Sequence, residues 1–99
     1  MPDPASLADV RAFVDELDGQ LIDLLARRQQ LVRAAARFKT DEQSVRAPDR
    51  VEQVVAAARE RAAGCGLSPE VAEAVWRAMI GAFVEYELAT HRESHDQIS

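Results

Sequence analysis

The chain has 99 residues, 47% hydrophobic, 29% charged and only 5% aromatic, which allows one domain with one modest core built mainly from Ala and Val. A formal net charge of −5 and a pI near 4.9 argue against nucleic acid, whose phosphates need a basic face. No run approaches the ~18 apolar residues of a membrane span, the single cysteine, Cys65, cannot form an internal disulfide, and the opening MPDPASLADV lacks the basic and apolar regions of a signal peptide. The chain therefore reads as cytoplasmic, with no nucleic acid and no membrane among its partners.

Residues 1 to 5 carry two prolines and read as frayed. Ser6 is the expected N-cap of a first helix, with Asp9 in its first turn. The apolar positions Leu7, Val10, Val14, Leu17, Leu21 and Leu24 alternate steps of three and four. Arg28 takes the next place, and Leu31, Ala35 and Phe38 continue the seam. No proline interrupts residues 6 to 39, and Gly19 is the only weak helix former of note. A helix of that length spans roughly 50 Å, whereas a compact domain of this size has a radius of gyration near ~13 Å. The seam therefore predicts a protruding helix covered by a second copy, an intertwined homodimer.

Thr40 to Ala47 reads as a polar connection without helical period. Pro48 and Asp49 suit the start of a second helix, whose apolar face is Val51, Val54, Val55 and Ala58. Gly64 is its expected left-handed terminus. Ser68-Pro69-Glu70 starts a third helix, expected to run to about His91. Its inward stripe is Val75/Trp76, Met79/Ile80, Phe83 and Glu87, with Glu73 and Arg77 as an exposed pair one turn apart. From Glu93 on the chain reads as frayed. The fold class is all-α, three helices per chain with a long N-terminal helix, one domain over 1–99 with its ordered core at about residues 7–92.

Two charges stand where apolar residues belong. Arg28 is either a snorkelling arginine or a pocket cation that requires an anion. Glu87 continues an apolar stripe, so it pairs with a cation, takes up a proton, or meets His91 one turn on. Lys39, eleven positions after Arg28, returns to nearly the same helix face roughly 16 Å along the axis. On spacing alone it is an ordinary lysine at a helix C-terminus. With Arg28 it could grip a small dianion. Arg11 lies roughly 25 Å from Arg28 along one helix and could reach the site only of an antiparallel partner. Arg50 sits at the positive end of its helix, against its local preference. Glu87, His91 and His95 have a spacing that metal sites use, but His95 falls in the expected frayed tail and no metal is expected. Nothing resembles a nucleophile with its base, a phosphate-binding loop or a zinc cluster. An enzyme built from these residues works by electrostatics and positioning. The competing class is a non-catalytic helical dimerisation module, which gains nothing from burying Arg28 and Glu87.

Taken together, Val10-Arg11, Leu17-Asp18, Leu24-Leu25-Ala26-Arg27-Arg28, Arg37-Phe38-Lys39, Val45-Arg46-Ala47-Pro48-Asp49-Arg50 and the stripe ending at Glu87 resemble the all-α (type II) chorismate mutase family, which includes the isochorismate-pyruvate lyases. The resemblance covers about residues 7 to 92. It implies a homodimer with two sites for a small dicarboxylate, chorismate or isochorismate, and no cofactor. Arg28 and the partner copy's Arg11 would hold the carboxylates. Lys39 would bind a carboxylate and the ether oxygen, Arg50 and Phe83 would line the site, and Glu87 would stand beside the ether oxygen, where many members have Gln. The catalytic pair implied is Lys39 and Glu87. The mutase reaction is a pericyclic rearrangement of chorismate to prephenate, a step of aromatic amino acid biosynthesis. Ala47 and Val51 depart from the mutases, many of which carry carboxylates there. Ala-Pro-Asp-Arg-Val and Arg-Phe-Lys look like the lyase branch, whereas Val45-Arg46 and Glu87 look like the mutases, toward which the balance falls.

Overall fold

Ser6 opens the first helix. In the computed structural model, which describes residues 3–96 and side chains through residue 93, the Ser6 Oγ accepts the Asp9 N–H at 3.1 Å. The Asp9 carboxylate in turn accepts the Ala5 N–H at 3.0 Å. These reciprocal bonds satisfy amide donors that a helix start leaves open. Helix α1 then runs Leu7–Ala36. It stops short of the expected Lys39. Arg37 and Phe38 donate to Ala34 and Ala35 at 3.2 and 3.0 Å, tighter i→i−3 bonds that close the last turn.

The connection that followed was expected to lack a helix, and it contains one. Asp41 accepts both the N–H and the hydroxyl of Ser44 at 2.8 Å, capping the five-residue helix α2, Glu42–Arg46. A polar sequence with one apolar residue suffices because that residue, Val45, is only 2% exposed and α2 packs against the last helix. At Ala47 the chain turns directly into α3, Pro48–Cys65. Ala47 takes the left-handed conformation, φ 37° and ψ 62°. Its N–H closes α2 on Gln43 at 2.9 Å and its carbonyl opens α3 by accepting from Val51 at 3.1 Å. Pro48, first in α3, has no N–H to leave unsatisfied.

Helix α3 ends two residues later than its sequence suggests. Gly66, not Gly64, is the left-handed residue, at φ 81°, and it and Leu67 both donate to the Ala62 carbonyl. Ser68 then caps α4, Pro69–Asp96, by accepting the Val71 N–H at 3.3 Å. Helix α4 continues past the expected end at His91. Residues 1–2 and 97–99, parts of the two ends read as frayed, lie outside the described residues.

By its internal contacts the chain falls into two compact units, Met1–Leu31 and Val32–Ser99. The second holds a core of Ala36, Val45, Val55, Ala62, Ala72, Ile80 and Leu88, each at most 8% exposed. Here α3 and α4 form an antiparallel-connected hairpin, with α2 on α4. The buried face of α4 is rotated from the expected stripe. Val75 is 50% exposed, whereas Leu88, outside that stripe, is 1% exposed. The face centres on Ile80, Glu87 and His91, and Val75 lies roughly 140° round the helix from Ile80. Salt bridges lace the hairpin. Arg77 reaches Glu73 and Glu52, both at 2.8 Å, and Arg59 reaches Glu73 at 2.8 Å. In the first unit Leu7, Val10, Val14, Leu17, Leu21 and Leu24 stand 40–62% exposed, and Leu31 is 71% exposed.

Candidate functional site

Helix α4 carries Glu87 and His91 one turn apart, so both face the same side. Both are buried, at 5% and 6% exposure. The chain leaving α1 crosses this face at Lys39. The Lys39 Nζ stands 2.8 Å from Glu87 Oε2. The Lys39 carbonyl lies 3.0 Å from His91 Nε2. A carbonyl only accepts, so His91 Nε2 carries the hydrogen. Glu87 therefore meets its cation from the segment after α1, and α4 grips both the backbone and the side chain of one residue.

The Lys39–Glu87 contact has the length of an ion pair without the angles of a hydrogen bond, and the buried Oε2 has no hydrogen-bond partner among the described residues. The Lys39 side chain is 27% exposed and that of Glu87 only 7%. A desolvated carboxylate beside a half-solvated ammonium is a polarised pair whose cation faces outward. A small anion arriving from that side meets the ammonium first.

The segment around this pair is tied to α4 by further contacts. Arg33, in the last turn of α1, donates to the Tyr86 hydroxyl at 3.3 Å. The same bond raises the Arg33 guanidinium above its ordinary value. Arg92 donates to Glu42 at 3.1 Å. The Asp41 carboxyl is held below its usual range, chiefly by the Ser44 N–H it accepts, then by the Ser44 hydroxyl. Sequence reasoning missed Asp41, Val45 and His91 as organisers of this region. The Asp-x-x-Ser spacing was the available signal for the cap. Nothing in the sequence ties His91 to the Lys39 carbonyl, 52 positions apart.

The remaining expected site residues are distributed as follows. Phe83 is partly buried on the Glu87 side of α4, and Arg50 is exposed in the first turn of α3. Arg11 is exposed and Arg28 partly buried, both in the first unit. Val51 is half-buried and lines a groove of about 410 Å³ between α3 and α4, with Arg46, Pro48, Ile80 and Val84. That groove lies on the other flank of Ile80 from Phe83 and does not include Lys39 or Glu87. Among the described residues no group of three His, Cys, Asp or Glu side chains is placed to hold a metal ion. The side chain of His95, the third member of the spacing noted above, lies outside the described residues. No described helix is long and apolar enough to cross a membrane.

An all-helical chain that presents a buried carboxylate and a cation at one helix end defines a class of site suited to a small, charged substrate, acting by electrostatics. The chain matches the family described as chorismate mutase type II over residues 10–88, and it belongs to that family. It is also similar to a protein of Pseudomonas aeruginosa named isochorismate pyruvate lyase, with 29% identity over 92 residues, 93% of this chain and 91% of the relative. This is accordingly an enzyme of a family that acts on chorismate-related substrates, and the two names point to different reactions.

Proposed function

We propose that the chain is a chorismate mutase, converting chorismate to prephenate by holding its reactive conformer and stabilising the charge that develops on the ether oxygen. The observation that carries this reading is the Lys39–Glu87 pair, 2.8 Å long and centred on a buried carboxylate. A pericyclic rearrangement needs no nucleophile, base or metal. It needs preorganised donors aimed at the oxygen where charge grows. Lys39 supplies one, and Glu87 supplies a second when protonated. In this reading Arg28 and a partner copy's Arg11 hold the carboxylates, and Arg50 and Phe83 line the site. Glu87→Gln, a permanent donor of the same shape, keeps activity, and Glu87→Ala loses it. Equal activity of wild type and Glu87→Ala overturns the role of Glu87.

The site is completed by a second copy in this reading, which supplies Arg11. Support comes from the exposed apolar row Leu7, Val10, Val14, Leu17, Leu21, Leu24 and Leu31. A row this long on one helix is characteristic of an interface. Sedimentation gives a dimer, and Leu21→Arg gives a monomer without activity. Wild-type sedimentation as a monomer removes Arg11 from the site.

A second reading is isochorismate-pyruvate lyase. It is favoured by the name of the Pseudomonas aeruginosa relative and by the apolar Ala47 and Val51, where many mutases have carboxylates. Separate incubation with chorismate and isochorismate, followed by measurement of prephenate, pyruvate and salicylate, decides between them. Prephenate from chorismate without efficient pyruvate release supports the mutase. Efficient pyruvate and salicylate formation from isochorismate supports the lyase. No product from either overturns both.

A further inference from the structure

Lys39 lies beyond the end of α1, which closes at Ala36. Helical hydrogen bonding therefore does not set the place of its backbone. A lysine side chain has four rotatable bonds, so its ammonium is only as well placed as its Cα and its surroundings make it. Three contacts within the second unit fix the segment that follows. Val45 is buried to 2% exposure and α2 packs on α4. Arg92 bonds Glu42 at 3.1 Å. His91 Nε2 donates to the Lys39 carbonyl itself at 3.0 Å.

The first two act on α2 and are several residues from Lys39. The third acts on Lys39 directly, and its place on α4 is specific. His91 stands one turn after Glu87, so the same rigid helix face holds the carbonyl at one end of Lys39 and the ammonium at the other. His91 is 6% exposed, so the bond is shielded from competition with water. Either a neutral Nε2–H imidazole or an imidazolium can donate it, so the anchor does not depend on one protonation state.

We infer that His91 is a positioning residue. It holds the backbone of Lys39 so that the ammonium meets Glu87 and a bound substrate in one geometry. This rests on Lys39 acting in catalysis as proposed above. Loss of the anchor lets Lys39 drift while leaving both charges present. A displacement of about 1 Å at such a group costs on the order of 10²-fold in rate.

The test compares His91→Gln, whose amide N–H stands where Nε2–H stands in histidine, with His91→Leu, which has no donor. For each, kcat and KM on the turned-over substrate are measured beside the unfolding midpoint and backbone hydrogen exchange over residues 39–46. His91→Leu lowers kcat by roughly 10- to 100-fold with little change in KM, and speeds exchange over that segment. His91→Gln restores both to within about threefold of wild type. Should His91→Leu not fold, His91→Phe, an aromatic ring of similar size without an N–H, takes its place as the donorless variant. Unchanged exchange over 39–46 in the donorless variant overturns the anchor. Equal kcat loss in the Gln and donorless variants overturns it too, because bulk packing then explains the effect. Wild-type inactivity on both chorismate and isochorismate, with exchange still dependent on the donor, defeats the catalytic reading and leaves the anchor standing.

Discussion

Lys39→Ala removes the cation from a carboxylate that is 7% exposed and whose Oε2 has no hydrogen bond among the described residues. Breaking one side of a buried ion pair costs about 3–5 kcal/mol, because the surviving charge is desolvated and uncompensated. Lys39 itself is 27% exposed, so water can follow into the space it leaves, and the lower end, about 3 kcal/mol, applies. For a chain of this size each kcal/mol moves the thermal midpoint by ~4–8 °C, which gives a drop of roughly 12–24 °C. The companion Lys39→Ala/Glu87→Gln carries no orphaned charge and recovers most of that loss. Thermal unfolding of wild type, both single variants and the double at about pH 8 measures the cycle. Equal midpoints for Lys39→Ala and the double variant would refute the reasoning. Glu87 would then not depend on Lys39 for its burial. No substrate is involved, so this outcome is independent of which reaction the enzyme performs.

Leu88→Ala, at the most buried position of α4, lowers stability by about 2–5 kcal/mol in urea unfolding, whereas Val75→Ala, at a position 50% exposed, lowers it by well under ~1.5 kcal/mol. Ala47→Gly relieves a left-handed alanine at the α2–α3 junction and raises the midpoint, by up to ~1 kcal/mol equivalent. Gly66→Ala does the reverse by a similar amount, through its φ of 81° alone, since an added Cβ meets nothing within 4 Å. On acidification, Glu52, Glu70, Glu73 and Asp41 are each held below the ordinary carboxylate range. The main causes are Arg77 for Glu52 and Glu73, the backbone N–H of Glu70 itself for that residue, and the Ser44 N–H for Asp41. A depressed acid contributes stability above its unfolded value and loses it as pH falls through its folded value. Wild-type stability therefore declines below the ordinary carboxylate range, and Arg77→Met flattens that decline in a pH series of midpoints.

Helix α1, the Pro48 and Ser68-Pro69 starts and the Glu73–Arg77 pair were legible in the sequence because each depends on neighbours within a turn or two. Local periodicity, capping chemistry and proline's fixed φ act at that range whatever the rest of the chain does. The anomalous carboxylate Glu87 was legible for the same reason, as a break in an apolar stripe. Its partner was less so. Residue patterning left Glu87 three possible fates, the family resemblance set it near Lys39, and packing of the post-α1 segment on α4 made the two a direct ion pair.

The errors share one physical cause. Helix α1 stops at Ala36 because the following residues find bonds elsewhere, Lys39 with His91 and Asp41 with Ser44. A five-residue helix is too short to be stable alone, so α2 exists only because Val45 is buried against another element. Leu88 outranks Val75 because α2 and α3 approach α4 from directions that periodicity does not encode. The amino-acid sequence by itself determined an all-helical chain, the main helix starts and the pair of charges out of place in apolar patterns. Tertiary structure alone decided where α1 ends, which side of α4 is buried, and that Lys39 is held by its carbonyl as well as its ammonium. Those features depend on contacts between residues some fifty positions apart, and such contacts follow from how faces pack rather than from any local propensity.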